Sequence, residues 1–149
     1  MALPIKIICI CLNPTIDRVL RVPEIQGGAH VLGETLLRQP AGKAVNVCRS
    51  LARLGSDSMV LGFVGQNEVN WFTHELTAMQ PGRIHCRWLP LAQPTRESVT
   101  LIAADTGLDM HIREPGFTLT AEHWGQLEHA LLGVVQPGDL CAFAGSPPR

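Results

Sequence analysis

The feature that most constrains this chain is the run from Ile5 to Leu12, apolar at every position except Lys6 and closed by Asn13-Pro14. A strand with one wet face alternates apolar and polar residues; a strand that does not alternate has to be covered on both sides. Covering both sides takes helices above and below a sheet, which points to an α/β layer architecture with a mostly parallel sheet. The run is too short to cross a membrane, and no small-residue cleavage pattern follows it, so neither a membrane span nor a secretory leader is expected.

Much of the remaining chain keeps the alternation that such a sheet needs. Lys43–Leu54 reads as a helix with Ala44, Val47, Cys48, Leu51 and Ala52 on one face and Asn46, Arg49, Ser50 and Arg53 on the other, stopped at Gly55. Met59–Phe63 is a second buried strand. Asn67–Met79 is a second helix, with Val69, Phe72, Leu76 and Met79 at helical spacing, ended by Pro81-Gly82. Cys86–Leu89 reads as an edge strand. Thr120 caps a third helix, with Glu122 in its first turn and Trp124, Leu127, Leu131 and Val134 on its inner side. Pro137-Gly138-Asp139 then leads into a last apolar strand, Leu140–Ala144. Two regions break the alternation. Arg18–Val22 with Val31–Gln39, and Ser98–Ala103 with Met110–Arg113 around the Asp105-Thr106-Gly107 turn, read as strands of a small flanking sheet.

Charged residues make up 17% of the 149 residues, below the roughly one quarter usual in globular domains. That shortfall suggests a large buried fraction or a face that meets something else. A net charge of −1 gives no basic field for nucleic acid. The cysteines, Cys9, Cys11, Cys48, Cys86 and Cys141, are odd in number and lack a C-x-x-C spacing. They read as packed thiols in a reducing cytoplasm, not as a disulfide framework or zinc site. No two histidines stand at metal-ligand spacing, so this chain is not expected to build a metal site.

Chemistry is concentrated in three places. Pro40-Ala41-Gly42-Lys43-Ala44-Val45-Asn46 runs a glycine-containing loop into a helix start, where unpaired amides and the helix dipole favour an anion. Lys43 adds a cation there, and Asn46, one turn on, both donates and accepts. The same residues also fit an ordinary helix start with an exposed lysine. A Walker A loop is excluded, because Leu37 stands where its first glycine belongs and Ala44 where its Ser or Thr belongs. Asp17, in Asn13-Pro14-Thr15-Ile16-Asp17-Arg18 after the first strand, suits a carboxylate that accepts from adjacent hydroxyls, or else closes an Asx-type turn. Arg96, at a strand start beside Thr95, suits a bidentate phosphate contact or a surface arginine.

In order, the chain carries Asn13-Pro14-Thr15-Ile16-Asp17, then Gly42-Lys43-Ala44-Val45-Asn46-Val47 running on to Leu54-Gly55, then Leu61-Gly62-Phe63-Val64-Gly65. Thr95-Arg96, Glu114-Pro115-Gly116 and Gly145-Ser146-Pro147-Pro148 follow. This series resembles the ribokinase/phosphofructokinase-B family of carbohydrate kinases. The N-P-x-x-D start and E-P-G turn are most similar to its 1-phosphofructokinase and tagatose-6-phosphate kinase branch. The resemblance implies a ribokinase-like three-layer sandwich with a small β lid, of which residues 1–149 form the N-terminal part and the strands near 18–39 and 98–113 the lid. It implies ATP- and Mg2+-dependent phosphorylation of a hexose phosphate, of the fructose 1-phosphate or tagatose 6-phosphate type, in the intact protein. Asp17, Gly42, Lys43, Asn46, Arg96 and Ser146 align with its sugar-phosphate contacts, and the lid with a homodimer contact. The family's catalytic aspartate, in a G-A-G-D segment, falls in a second half beyond this chain. The isolated chain is therefore expected to be a truncated, inactive form, or alternatively a non-catalytic remnant that binds sugar phosphate or dimerises. One departure is Ala41, which replaces the first glycine of G-G-K and is expected to crowd a close backbone approach.

Overall fold

The computed structural model describes residues 6–79 and 81–148. Ile5, the first residue of the expected opening strand, lies outside them. The opening strand is β1 (Ile7–Cys11), and its pleat divides it as the apolar run requires. Cys9 and Cys11 face one core cluster, and Ile8 and Ile10 face the other. β1 pairs in parallel with β4 (Ser58–Gly65) on one side and β8 (Leu140–Phe143) on the other, and β4 pairs with β5 (Ile84–Leu91). Sheet A therefore runs β5-β4-β1-β8, entirely parallel, with β5 at an edge. Leu140 and Phe143 on the opposite edge strand are 58% and 67% exposed.

Helices α1 (Lys43–Arg53) and α2 (Val69–Met79) cover one face of sheet A, and α3 (Ala121–Leu132) covers the other. Ala44, Val45, Cys48 and Ala52 of α1 pack on Cys9, Cys11 and Val60. Leu127 and Ala130 of α3 pack on Ile8, Ile10, Leu61 and Phe63. These are the three layers of a ribokinase-like sandwich. α1 ends in a Schellman turn: Gly55 takes φ 81°, its N–H donates to Ala52 O, and the Ser56 N–H donates to Leu51 O at 2.9 Å. Thr120 caps α3, with His123 completing a reciprocal capping box. Gly62 stands opposite Cys11 in the register, and a Cβ there would collide with the Cys11 carbonyl oxygen.

The flanking strands form sheet B: β2 (Thr15–Val22), β3 (Glu34–Ala41), β6 (Glu97–Ala103) and β7 (Asp109–Arg113), ordered β3-β2-β6-β7. β2 pairs antiparallel with β3 and parallel with β6, and β6 pairs antiparallel with β7. Arg38 stacks 4.1 Å above the Trp71 ring centroid and ties this sheet to α2.

Three expectations change. Pro40 and Ala41 belong to β3 and not to a loop; β3 is an edge strand, where a proline costs no ladder bond on its open side. Arg49, assigned to the polar face of α1, is 7% exposed, and the charges of Asp17 on β2 and Glu75 on α2 act on it there. Trp124 and Met79, read as inward, are each 40% exposed. Among the described residues no helix is long and apolar enough to cross a membrane.

Candidate functional site

At the carboxyl ends of β1 and β8, where open α/β sheets hold ligands, the chain makes three turns that brace one another. The first is Asn13-Pro14, between β1 and β2. Arg96 donates from Nε to Pro14 O at 3.2 Å and from Nη2 to Asn13 O at 3.4 Å. Its own carbonyl accepts from Ile16 N and from Thr15 Oγ1. Thr95, 4% exposed, accepts from Gly65 N through Oγ1 at 2.8 Å and donates from its N–H to Glu68 Oε2 at 3.1 Å. The Thr95-Arg96 pair thus pins the end of β4 to the Asn13-Pro14 turn. The Glu114-Pro115-Gly116 turn closes over the same place. Glu114 Oε2 accepts from Glu97 N at 2.7 Å, and a Cβ at Gly116 would strike the Asn13 carboxamide.

The second turn is a single residue. β3 ends at Ala41 and α1 begins at Lys43, so Gly42 alone makes the reversal, at φ 124°. A side chain there would be strained in backbone and would press on Pro14 Cα at 3.3 Å. Ala41 does not crowd the approach: it pairs with Thr15 and is 1% exposed, its methyl group in the core. The start of α1 carries no side-chain cap and no acid in its first turn, so its positive end is left open. The third turn, Ala144-Gly145-Ser146 after β8, approaches the same point, with Gly145 at φ 110°.

These segments enclose a cavity of about 320 Å³. All six residues singled out from the sequence line it: Asp17, Gly42, Lys43, Asn46, Arg96 and Ser146. Two polar residues that sequence reasoning did not single out, Ser98 and Arg113, join them. Strand register brings them in. Asp17 stands opposite Ser98, and Ser98 opposite Arg113, so the three form a row across β2, β6 and β7 on one face. The turn joining β6 to β7 was legible, but the pairing of β2 with β6, far apart in sequence, was not. His111 is bonded to Asp109 at 2.8 Å and lies outside the cavity lining.

The cavity sets one carboxylate, Asp17, among Lys43, Arg96 and Arg113. Burial pushes the Asp17 carboxyl above its ordinary range, and Arg49 and Arg96 pull it back. Cys11, beneath, stays a neutral thiol: burial is the largest cause of a pKa pushed up to about 12. An excess of cations beside open helix amides suits an anion, and an adjacent carboxylate suits hydroxyl groups. A larger hollow of about 580 Å³ lies at the amino ends of sheet A, between Lys6, Asp57, Arg83 and His85, but there Arg83 is spent on Asp57.

Among curated proteins, the 1-phosphofructokinase of Vibrio cholerae is 29% identical over 97% of this chain and 44% of its own length. That of Escherichia coli K12 is 30% identical over 96% of this chain and 45% of its own length. The chain thus spans a little under half the length of the curated relatives it matches. In fold it is similar to phosphofructokinase-2 from Escherichia coli, solved in complex with fructose-6-phosphate. That match has a TM-score of 0.83 at 20% identity and covers 99% of this chain and 46% of that one. Residues 6–149 match the model of the pfkB family carbohydrate kinases, and the chain belongs to that family.

Proposed function

We propose that this chain is the sugar-phosphate-binding half of an ATP-dependent hexose-phosphate kinase, for a substrate of the fructose 1-phosphate or tagatose 6-phosphate type. The observation that carries the reading is the convergence of segments far apart in sequence on one cavity with a single carboxylate and three cations. In this reading Asp17 accepts from neighbouring sugar hydroxyls. Lys43, Arg96 and the amides after Gly42 hold the phosphate. Arg113 reaches the phosphate from the lid, and Asn46 and Ser146 orient the ring.

ATP supplies the transferred phosphoryl group in the intact protein, with Mg2+ to neutralise its charge. The cavity's own donors do not fit a divalent cation, since its one carboxylate is balanced by arginines. What these residues do is bind and orient the acceptor. Phosphoryl transfer rests on positioning and electrostatic stabilisation, so half of the constellation is expected to bind without turnover.

Sheet B acts as the lid. Its face opposite the cavity carries Leu20, Val99, Leu101, Met110 and Ile112, and Met110 and Ile112 are 45% and 49% exposed. A second copy of the chain is the proposed cover for that face, giving a homodimer. The described cysteines are all free, which fits a reducing cytoplasm.

The test is calorimetric titration of the chain with fructose 1-phosphate, fructose 6-phosphate and tagatose 6-phosphate. Saturable binding of at least one is expected, lost in Lys43→Met. Absence of binding for all three contradicts the reading.

A further inference from the structure

Beneath the cavity lies a cation that neither motif nor composition singled out. Arg49 is 7% exposed, its Nε has no hydrogen-bond partner among the described residues, and its Nη1 donates to Asn46 Oδ1 at 3.3 Å. A guanidinium has donors only, so the atom of Asn46 that faces it must be the carboxamide oxygen. Asn46 lines the cavity, and with its oxygen committed below, the NH2 is the branch left for a ligand.

We propose that Arg49 is a positioning residue, which fixes the Asn46 carboxamide so that it only donates into the cavity and balances the Asp17 carboxylate from below. The inference deepens the sugar-phosphate reading and rests on it for the identity of the ligand. It changes what the site selects: Asn46 recognises a lone pair, from a phosphate, carbonyl or hydroxyl oxygen, and does not accept a hydroxyl proton. Burying an arginine is costly unless its charge is answered. Asp17 on β2 and Glu75 on α2 answer it, while Arg53 on α1 opposes it. Asp17 in turn feels Arg49 and Arg96, with Lys43 and Arg113 also lining its cavity.

The experiment uses the full chain, with labelled aspartate carboxyls and asparagine side-chain amides followed by NMR, in wild type, Arg49→Met and Arg49→Lys. In Arg49→Met the Asp17 titration should move up, and the two Asn46 side-chain amide protons should shift toward the positions of an unconstrained carboxamide and exchange faster with water. Arg49→Lys should restore the Asp17 titration but not the order of the Asn46 amide, since an ammonium keeps the charge without the planar fork. Sugar-phosphate affinity should fall roughly tenfold in Arg49→Met, the effect of one misdirected hydrogen bond. If Arg49→Met does not fold, Arg49→Lys decides alone: a disordered Asn46 amide supports the proposal, and one unchanged from wild type overturns it. An Asp17 titration and an Asn46 amide unmoved in a folded Arg49→Met also overturn it. If wild type binds none of the sugar phosphates, the ligand reading falls, while the titration and amide signals still decide the part played by Arg49.

Discussion

Sheet A has a hollow at each end, and the two teach different things. The amino-end hollow, at about 580 Å³, is the larger, yet its Arg83 and Asp57 are 2.6 Å apart and satisfy each other. The carboxyl-end cavity, at about 320 Å³, is smaller, and Lys43, Arg96 and Arg113 have no ion pair there among the described residues. Size follows from where loops happen to part. Unspent charge beside an uncapped helix start is costly to keep, and makes sense where a ligand supplies the missing anion.

Arginine substitutions should separate the two ends most sharply. Arg96→Ala removes two bonds to the Asn13 and Pro14 carbonyls along with a cavity cation. It is expected to cost about 2–3 kcal/mol of stability, read by urea unfolding, and to abolish measurable sugar-phosphate binding. Arg83→Ala breaks a pair whose side chains are 44% and 62% exposed; it should cost less than about 1 kcal/mol and leave binding intact. Equal effects of the two would erase the distinction.

The positive-φ glycines sharpen it further. Gly42→Ala forces a Cβ onto φ 124° and against Pro14, for about 2 kcal/mol and a marked loss of affinity. Gly55→Ala meets open space at φ 81°, so only the backbone cost of about 1 kcal/mol should appear, with affinity unchanged. Thermal unfolding together with calorimetry reads both.

The smallest effect concerns Asp17. Its folded pKa is raised above the ordinary 3.8, so the fold disfavours its charge. The stability contributed by the protonated form is complete below that ordinary value and is lost as pH rises through the raised one. Asp17→Asn should therefore be slightly more stable than wild type at neutral pH, an advantage that fades on acidification, while losing affinity. A less stable Asp17→Asn at neutral pH would mean that Arg49 and Arg96 outweigh burial.

Much of this was legible in the chain. The unbroken apolar run before Asn13 required a doubly covered strand, and Cys9/Cys11 against Ile8/Ile10 supply its two faces. The six cavity residues were legible as a set through the resemblance of their motifs to a family pattern, since the Gly42–Asn46 segment by itself also fits an ordinary helix start. What escaped depends on tertiary neighbours. Ser98 and Arg113 reach the cavity only through the register of β2, β6 and β7. Arg49 looked solvent-facing because helical periodicity does not reveal which tertiary neighbours cover the polar face of α1. Pro40 looked like a loop residue because proline breaks most strands, though not the outer edge of one.

The most direct measurement of the central claim is a backbone amide map of the chain titrated with fructose 1-phosphate. The account predicts saturable shifts at Asp17, Lys43, Asn46, Ser98 and Arg113, with Asp57, Arg83 and His85 unmoved. Shifts centred on the amino-end hollow, or none at the carboxyl-end cavity, would contradict it.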